Sequence, residues 1–130
     1  MADHEDAVRD RLLAYSGVFT LVSTRVWYSA LPQDPTLPAV TLQQISGLPA
    51  SVFGGDTGEV EIRVQVDAWA ETRAGAKALG EAVRGALQRH TGTYGGVTIQ
   101  VVDMNTGGTR YEPEGTIWRC RQDFGLWGSE

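Results

Sequence analysis

The sequence predicts an α+β two-layer sandwich, a mostly antiparallel sheet of four to five strands with two helices packed on one face, in a single domain spanning 1–130. Three observations carry that prediction. From Glu59 to Ala70 polar and apolar residues alternate strictly, the period of a strand with one buried face. Directly after it, "ETRAGAKALGEAVRGAL" switches to helical spacing. The whole chain then reads helix, strands, helix, strands, without an internal repeat or a domain linker.

Each element has its own local signal. Asp3 caps a first helix expected from His4 to Ser16, with Glu5 and Asp6 in its first turn and Gly17 as its stop. Its apolar residues Val8, Leu12, Leu13 and Tyr15 fall at helical spacing. Val26, Trp27 and Tyr28 favour a short strand, and "PQDPTLP" is an irregular connector. "AVTLQQIS", Ala39 to Ser46, alternates as a strand. The stretch "GLPASVFGGDTG" is then a long glycine-rich loop, 47–58, leading to the alternating strand as an antiparallel hairpin. Such a loop either contacts something or is a floppy excursion. Thr72 caps the second helix, expected to reach Arg89, with Ala76, Leu79, Val83, Ala86 and Leu87 as its buried stripe. The interior Gly75, Gly80 and Gly85 each cost up to ~1 kcal/mol against alanine, so close packing must offset them. "HTGTYGG" ends that helix, Val97 to Met104 is a strand, "NTGG" a turn, "TRYEPEG" either a short strand or a loop, and Ile117 to Trp127 the last strand.

Composition excludes several classes of function. A net charge of −5 argues against gripping duplex nucleic acid, which takes a basic stripe. No run approaches the ~20 apolar residues of a membrane span. "MADHEDAVRD" is acidic with no apolar run behind it, which argues against a targeting peptide and for a chain acting where it is made. Cys120 is the only cysteine, read as a small semi-buried hydrophobe. His4 and His90 lack metal-ligand spacing, and His90 is expected near a helix end as a cation against the dipole. No cofactor is implied. There is no GxSxG, phosphate-binding loop or dinucleotide fingerprint, and the glycine pairs are turn material. Glu61 and Asp67 share a face but stand too far apart to share a proton, and Arg63 between them makes an ion network of that face rather than acid–base chemistry. The chain is therefore expected not to be an enzyme. On the residues alone, that face, with Glu61, Arg63, Gln65, Asp67 and Trp69, would be solvated.

The arrangement of short motifs resembles a known family, the phage tail completion or tail terminator proteins. "RVWYSALPQDPTLPAVTLQQISG" is similar to the family's front half, with Arg25, Tyr28, Pro32, Leu37, Pro38, Ile45, Ser46 and Gly47 in the matching places. "RVQVDAWAETRAGAKALGEAVRGAL" resembles its strand-then-helix element, and "CRQDFGLW" its closing strand. Ala68, Gly75 and the region from Thr106 to Glu114 depart from the pattern.

That resemblance implies a ring, usually a hexamer, at the head-proximal end of a phage-like tail, including that of a gene transfer agent. The ring would stop polymerisation of the tail tube protein and offer a surface to the head–tail connector or stopper protein. DNA would pass through it without sequence-specific binding. The chain would belong to the virion's neck, assembled in the host bacterial cytoplasm, with no membrane partner. Leu48, Val52 and Phe53 would then touch neighbouring subunits or the tube. Glu61, Arg63, Gln65, Asp67 and Trp69 would lie at the subunit interface or along an acidic channel, and Trp27, Trp69, Trp118 and Trp127 would be candidate anchors. The alternatives are a small ligand- or peptide-binding module using the 47–58 loop, and a hydrolase without a recognisable motif.

Overall fold

The computed structural model describes residues 4–49, 59–112 and 117–129. In chain order the elements are helices α1 (His4–Ala14) and α2 (Ser16–Val22), strands β1 (Val26–Tyr28), β2 (Ala39–Pro49) and β3 (Glu59–Ala70), helix α3 (Arg73–Leu87), and strands β4 (Thr91–Tyr94), β5 (Val97–Glu112) and β6 (Ile117–Ser129). The strands form one six-stranded sheet in the order β1-β2-β3-β6-β5-β4. β1 is parallel to β2 and every other neighbouring pair is antiparallel. The α+β class holds, but among the described residues the sheet is mixed and larger than expected, and there are three helices rather than two.

The differences have local causes. The first helix is interrupted at Tyr15, whose extended backbone starts α2. Gly17 is therefore inside a helix, not after one: a Cβ there would sit 2.9 Å from the Tyr15 ring. That ring continues over to α3, where a Cβ on Gly85 would come within 2.8 Å of the Tyr15 hydroxyl. β4 is a hairpin partner of β5 across Gly95 and Gly96, both with positive φ, as a tight two-residue hairpin turn requires. The "NTGG" segment is no turn. β5 runs through it with bulges at Val101/Asp103 and Thr106/Gly108, and Gly108 takes φ +83.

One core holds the layers together. The inner side chains of β3, namely Ile62, Val64, Val66, Ala68 and Ala70, are buried against Ala76, Leu79, Val83, Ala86 and Leu87 of α3. Leu42, Ile99, Phe124 and Leu126 extend that layer, and Ala7, Val8, Leu12, Val18 and Val22 of α1 and α2 complete it. α3 starts as the sequence predicts: Thr72 Oγ1 accepts from the Gly75 amide at 3.0 Å. Its mid-helix glycine has the predicted packing reason. A Cβ on Gly80 would stand 2.6 Å from Cys120 Sγ, and this approach lets buried Gln122 donate to the Gly80 carbonyl at 2.8 Å. The helix ends at Leu87, and its terminal dipole is met by Arg11, whose Nε donates to the Ala86 carbonyl at 2.8 Å. His90 does not serve as that cation: its pKa is lowered, by burial first and by Arg11 second, and its ring nitrogen bonds the Tyr94 hydroxyl at 2.7 Å.

Candidate functional site: the open face of the sheet

All helices cover one face of the sheet, so the other face is defined by strand register alone. On β3, Arg63, Gln65, Asp67 and Trp69 point to it, alternating with the buried row. Register places Thr41 beside Asp67 on the β2 side and Arg121 on the β6 side, with Arg119 beside Trp69 and Asp123 beside Gln65. Next to them, β5 sets Asn105 by Asp123, Gly108 by Arg121 and Arg110 by Arg119. The face is a polar layer four strands wide, built by period-2 alternation on each of them.

That layer is not simply solvated, which corrects the expectation from the residues alone. Asp67 is only 7% exposed and Thr41 only 2%. Gln65 Nε2 donates to Asp67 Oδ2 at 2.8 Å, while Trp69 Nε1 donates to Thr41 Oγ1 at 2.9 Å. The Arg119 guanidinium lies 5.5 Å from the Trp69 ring centre and pairs with Glu112 at 3.2 Å. Arg121 pairs with Asp123 at 3.5 Å. Burial pushes the Asp67 carboxyl above the ordinary carboxylate range. The Gln65 bond, Arg119 and Arg121 oppose that rise, and Asp123 adds to it. Arg119 and Arg121 also line a depression of about 260 Å³ with Arg110, Asn105, Gly107, Gly108 and Asp123. Four arginines on this face, Arg63, Arg110, Arg119 and Arg121, stand among the carboxylates Asp67, Glu112 and Asp123.

Arg119 and Arg121, which the sequence reading did not select, make ion pairs on the same face as Arg63. The signal was present: "RCRQD" alternates basic and acidic residues at the strand period. Val52 and Phe53 lie outside the described residues. Leu48 and Glu61 are register partners at the far end of the β2–β3 ladder. Of the four tryptophans, Trp27 is exposed while Trp69, Trp118 and Trp127 are half-buried. Among the described residues no cluster of three or more His, Cys, Asp or Glu is placed to hold a metal ion. No described helix is long and apolar enough to cross a membrane.

The family model for "tail completion protein gp17" matches residues 6–128, which is nearly all of the chain. The chain belongs to this tail completion family. A structural role in a phage tail follows from that membership. The fold agrees with it. A chain from the virion of a native gene transfer agent particle superposes with a TM-score of 0.65 at 21% identity, over 95% of this chain and 92% of that one. The gp17 protein of bacteriophage SPP1 superposes with a TM-score of 0.57 at 19% identity, over 97% of this chain and 87% of the other. No curated protein matches in sequence. The tail completion family's residues 6–128 begin in α1 and end in β6, so the match takes in all six strands, including β4 and the parallel β1.

Proposed function

We propose that this tail completion protein is a non-enzymatic virion component that closes into a ring, a hexamer, at the head-proximal end of a phage-like tail. There it ends growth of the tail tube and gives the head's connector or stopper protein a surface to join. DNA passes through the ring without being read, and the ring is built in the bacterial cytoplasm. The observation that carries this reading is the family match across residues 6–128. The chemistry fits a binding role: Asp67 accepts from Gln65 within a layer of fixed charges. In this proposal Arg63, Gln65, Asp67 and Trp69 face a neighbouring subunit or the lumen. Leu48, Val52, Phe53 and Glu61, at or beyond the end of the β2–β3 hairpin, reach a neighbour or the tube.

Deleting the gene from a particle-producing genome tests the role. Over-long or headless tails are expected, and tails of normal length joined to heads would overturn it. Sedimentation velocity tests the ring: a species that stays monomeric with tail tube protein present removes it.

A further inference from the structure

The two lateral sides of the sheet are unlike each other, and each is only half covered. On one side β1 pairs with Val40–Leu42 of β2, leaving the rest of that strand to Pro49 without an outer strand among the described residues. On the other, β4 pairs with Val97–Gln100 of β5, and His90 O takes the Val101 amide. From Val102 to Glu112, β5 then has β6 on one side and no strand on the other among the described residues. β2 and β5 run in opposite directions, because two antiparallel strands, β3 and β6, lie between them. The covered halves therefore sit at opposite ends of the sheet. Each side carries a projecting short strand and a recess, in opposite order.

Exposed apolar side chains concentrate on these two sides. Of the seven large hydrophobic residues exposed among the described residues, Trp27, Tyr28 and Ile45 lie on the β1–β2 side and Val102 and Tyr111 on the β5 side. The other two, Phe19 and Leu21, are on α2. Isolated exposed hydrophobes need no explanation, but their alignment along two half-open edges points to contact.

We infer that these two sides are the complementary halves of a head-to-tail contact between copies of this chain. With both sheets held in the same orientation, β1 of one copy enters the recess beside β5 of the next, and β4 of that next copy enters the recess beside β2 of the first. β1 then lies antiparallel to β5, and β4 parallel to β2. The β5 recess holds an unbulged run, Gly108–Glu112, in regular register with Ile117–Arg121, long enough for the three residues of β1. The two joints differ in kind. On β1 the Val26 carbonyl is already bonded to Arg9 Nε at 3.0 Å, the Tyr28 carbonyl to the Ala30 amide at 2.7 Å and the Tyr28 hydroxyl to Asp6, so this joint is made by the Trp27 side chain. β4 has no strand on its outer side among the described residues and makes a backbone ladder with β2 beyond Gln44, whose amide already donates to Glu5 Oε2 at 2.9 Å. Because the two sides differ, the contact is heterologous and repeats from copy to copy until the rotation closes. It rests on the ring reading for closure, but the contact is tested separately.

Thr24, just before β1, and Arg110 on β5 are both exposed, and neither makes the joint. A full-length Thr24→Cys chain, an Arg110→Cys chain and the double variant are treated with a flexible bis-maleimide, with wild type as control for buried Cys120. The expected result is no self-cross-linking by either single variant, a dimer from their mixture, and a ladder ending at the ring size from the double variant. Val102→Lys with Tyr111→Lys should lower the sedimenting species to monomer with unchanged circular dichroism. Cross-linking of one single variant to itself, or an assembled wild-type ring whose variants neither cross-link nor dissociate, overturns the contact while leaving the ring intact. A wild-type chain monomeric even with tail tube protein overturns both.

Discussion

Replacing Gly80 with alanine tests the closest joint between the layers. On propensity alone the substitution should stabilise α3 by up to about 1 kcal/mol. The structure reverses that sign. The new methyl would be 2.6 Å from Cys120 Sγ, 3.1 Å from Gln122 Nε2 and 3.3 Å from Cys120 Cβ, all on buried side chains of β6. Overpacking a filled site costs about 1–3 kcal/mol. Any lift of α3 also strains the bond from Gln122 to the Gly80 carbonyl, worth about 1 kcal/mol net, in a side chain only 4% exposed. The sum is a loss of about 1–3 kcal/mol, read from urea unfolding followed by far-ultraviolet circular dichroism. Adding Cys120→Ala removes the nearest obstructing atom, so the double variant should lose less than the two single losses combined. A Gly80→Ala chain as stable as wild type, or more so, would refute the packing argument.

Thr72→Ala removes the side-chain acceptor for the Gly75 amide and should cost about 1 kcal/mol, with Thr72→Ser recovering most of it in the same unfolding assay. Trp69→Phe keeps a ring under Arg119 but loses the bond to Thr41; about 1 kcal/mol of lost stability is expected, and no change would mean the bond contributes nothing. Asp67 has a folded pKa raised above its unfolded value near 3.8, so its contribution to stability is full below that value and lost as pH rises through the folded one. Asp67→Asn should therefore gain on wild type across that window and hold a constant gap above it; urea midpoints against pH showing a flat or opposite trend would contradict the burial.

How much of this was legible depends on which interaction decides each element. From Glu59 to Leu87 the periods are unambiguous and the cap is local, so the strand, the turn and the helix were readable to within about two residues. α2 was not, because Tyr15 breaks a continuous-looking segment for a tertiary reason, its ring lying against Gly85. β4 carried a readable signal, a two-residue glycine turn, but one masked by the preceding helix ending. β5 passes through "NTGG" because β6 pairs with it on both sides of the bulge. The parallel direction of β1 depends on where the connector with the cis Leu37–Pro38 bond returns the chain, and no period encodes that. For the open face, alternation told which side Asp67 takes but not what stands beside it. Thr41 and Arg121 arrive from strands distant in sequence, and their neighbourhood turns an apparently wet carboxylate into a buried one.

The position of β6 sets the order in which this molecule can be made. It follows β5 in the chain, yet it lies between β5 and β3, joining Ala68 to Cys120 and Val64 to Phe124. Until it arrives, the β2–β3 hairpin and the β4–β5 hairpin are separate pieces with bare inner edges, and α3 lacks half its floor. Closing such a distant pair costs loop entropy before any packing is gained, so folding belongs to the slower range set by non-local topology. A chain interrupted before residue 117 has no sheet spanning from β2 to β5. Synthesis itself thus withholds the finished sheet: a copy that ends before β6 lacks both the β3–β6 and the β5–β6 ladders, and its two hairpins have nothing to join them.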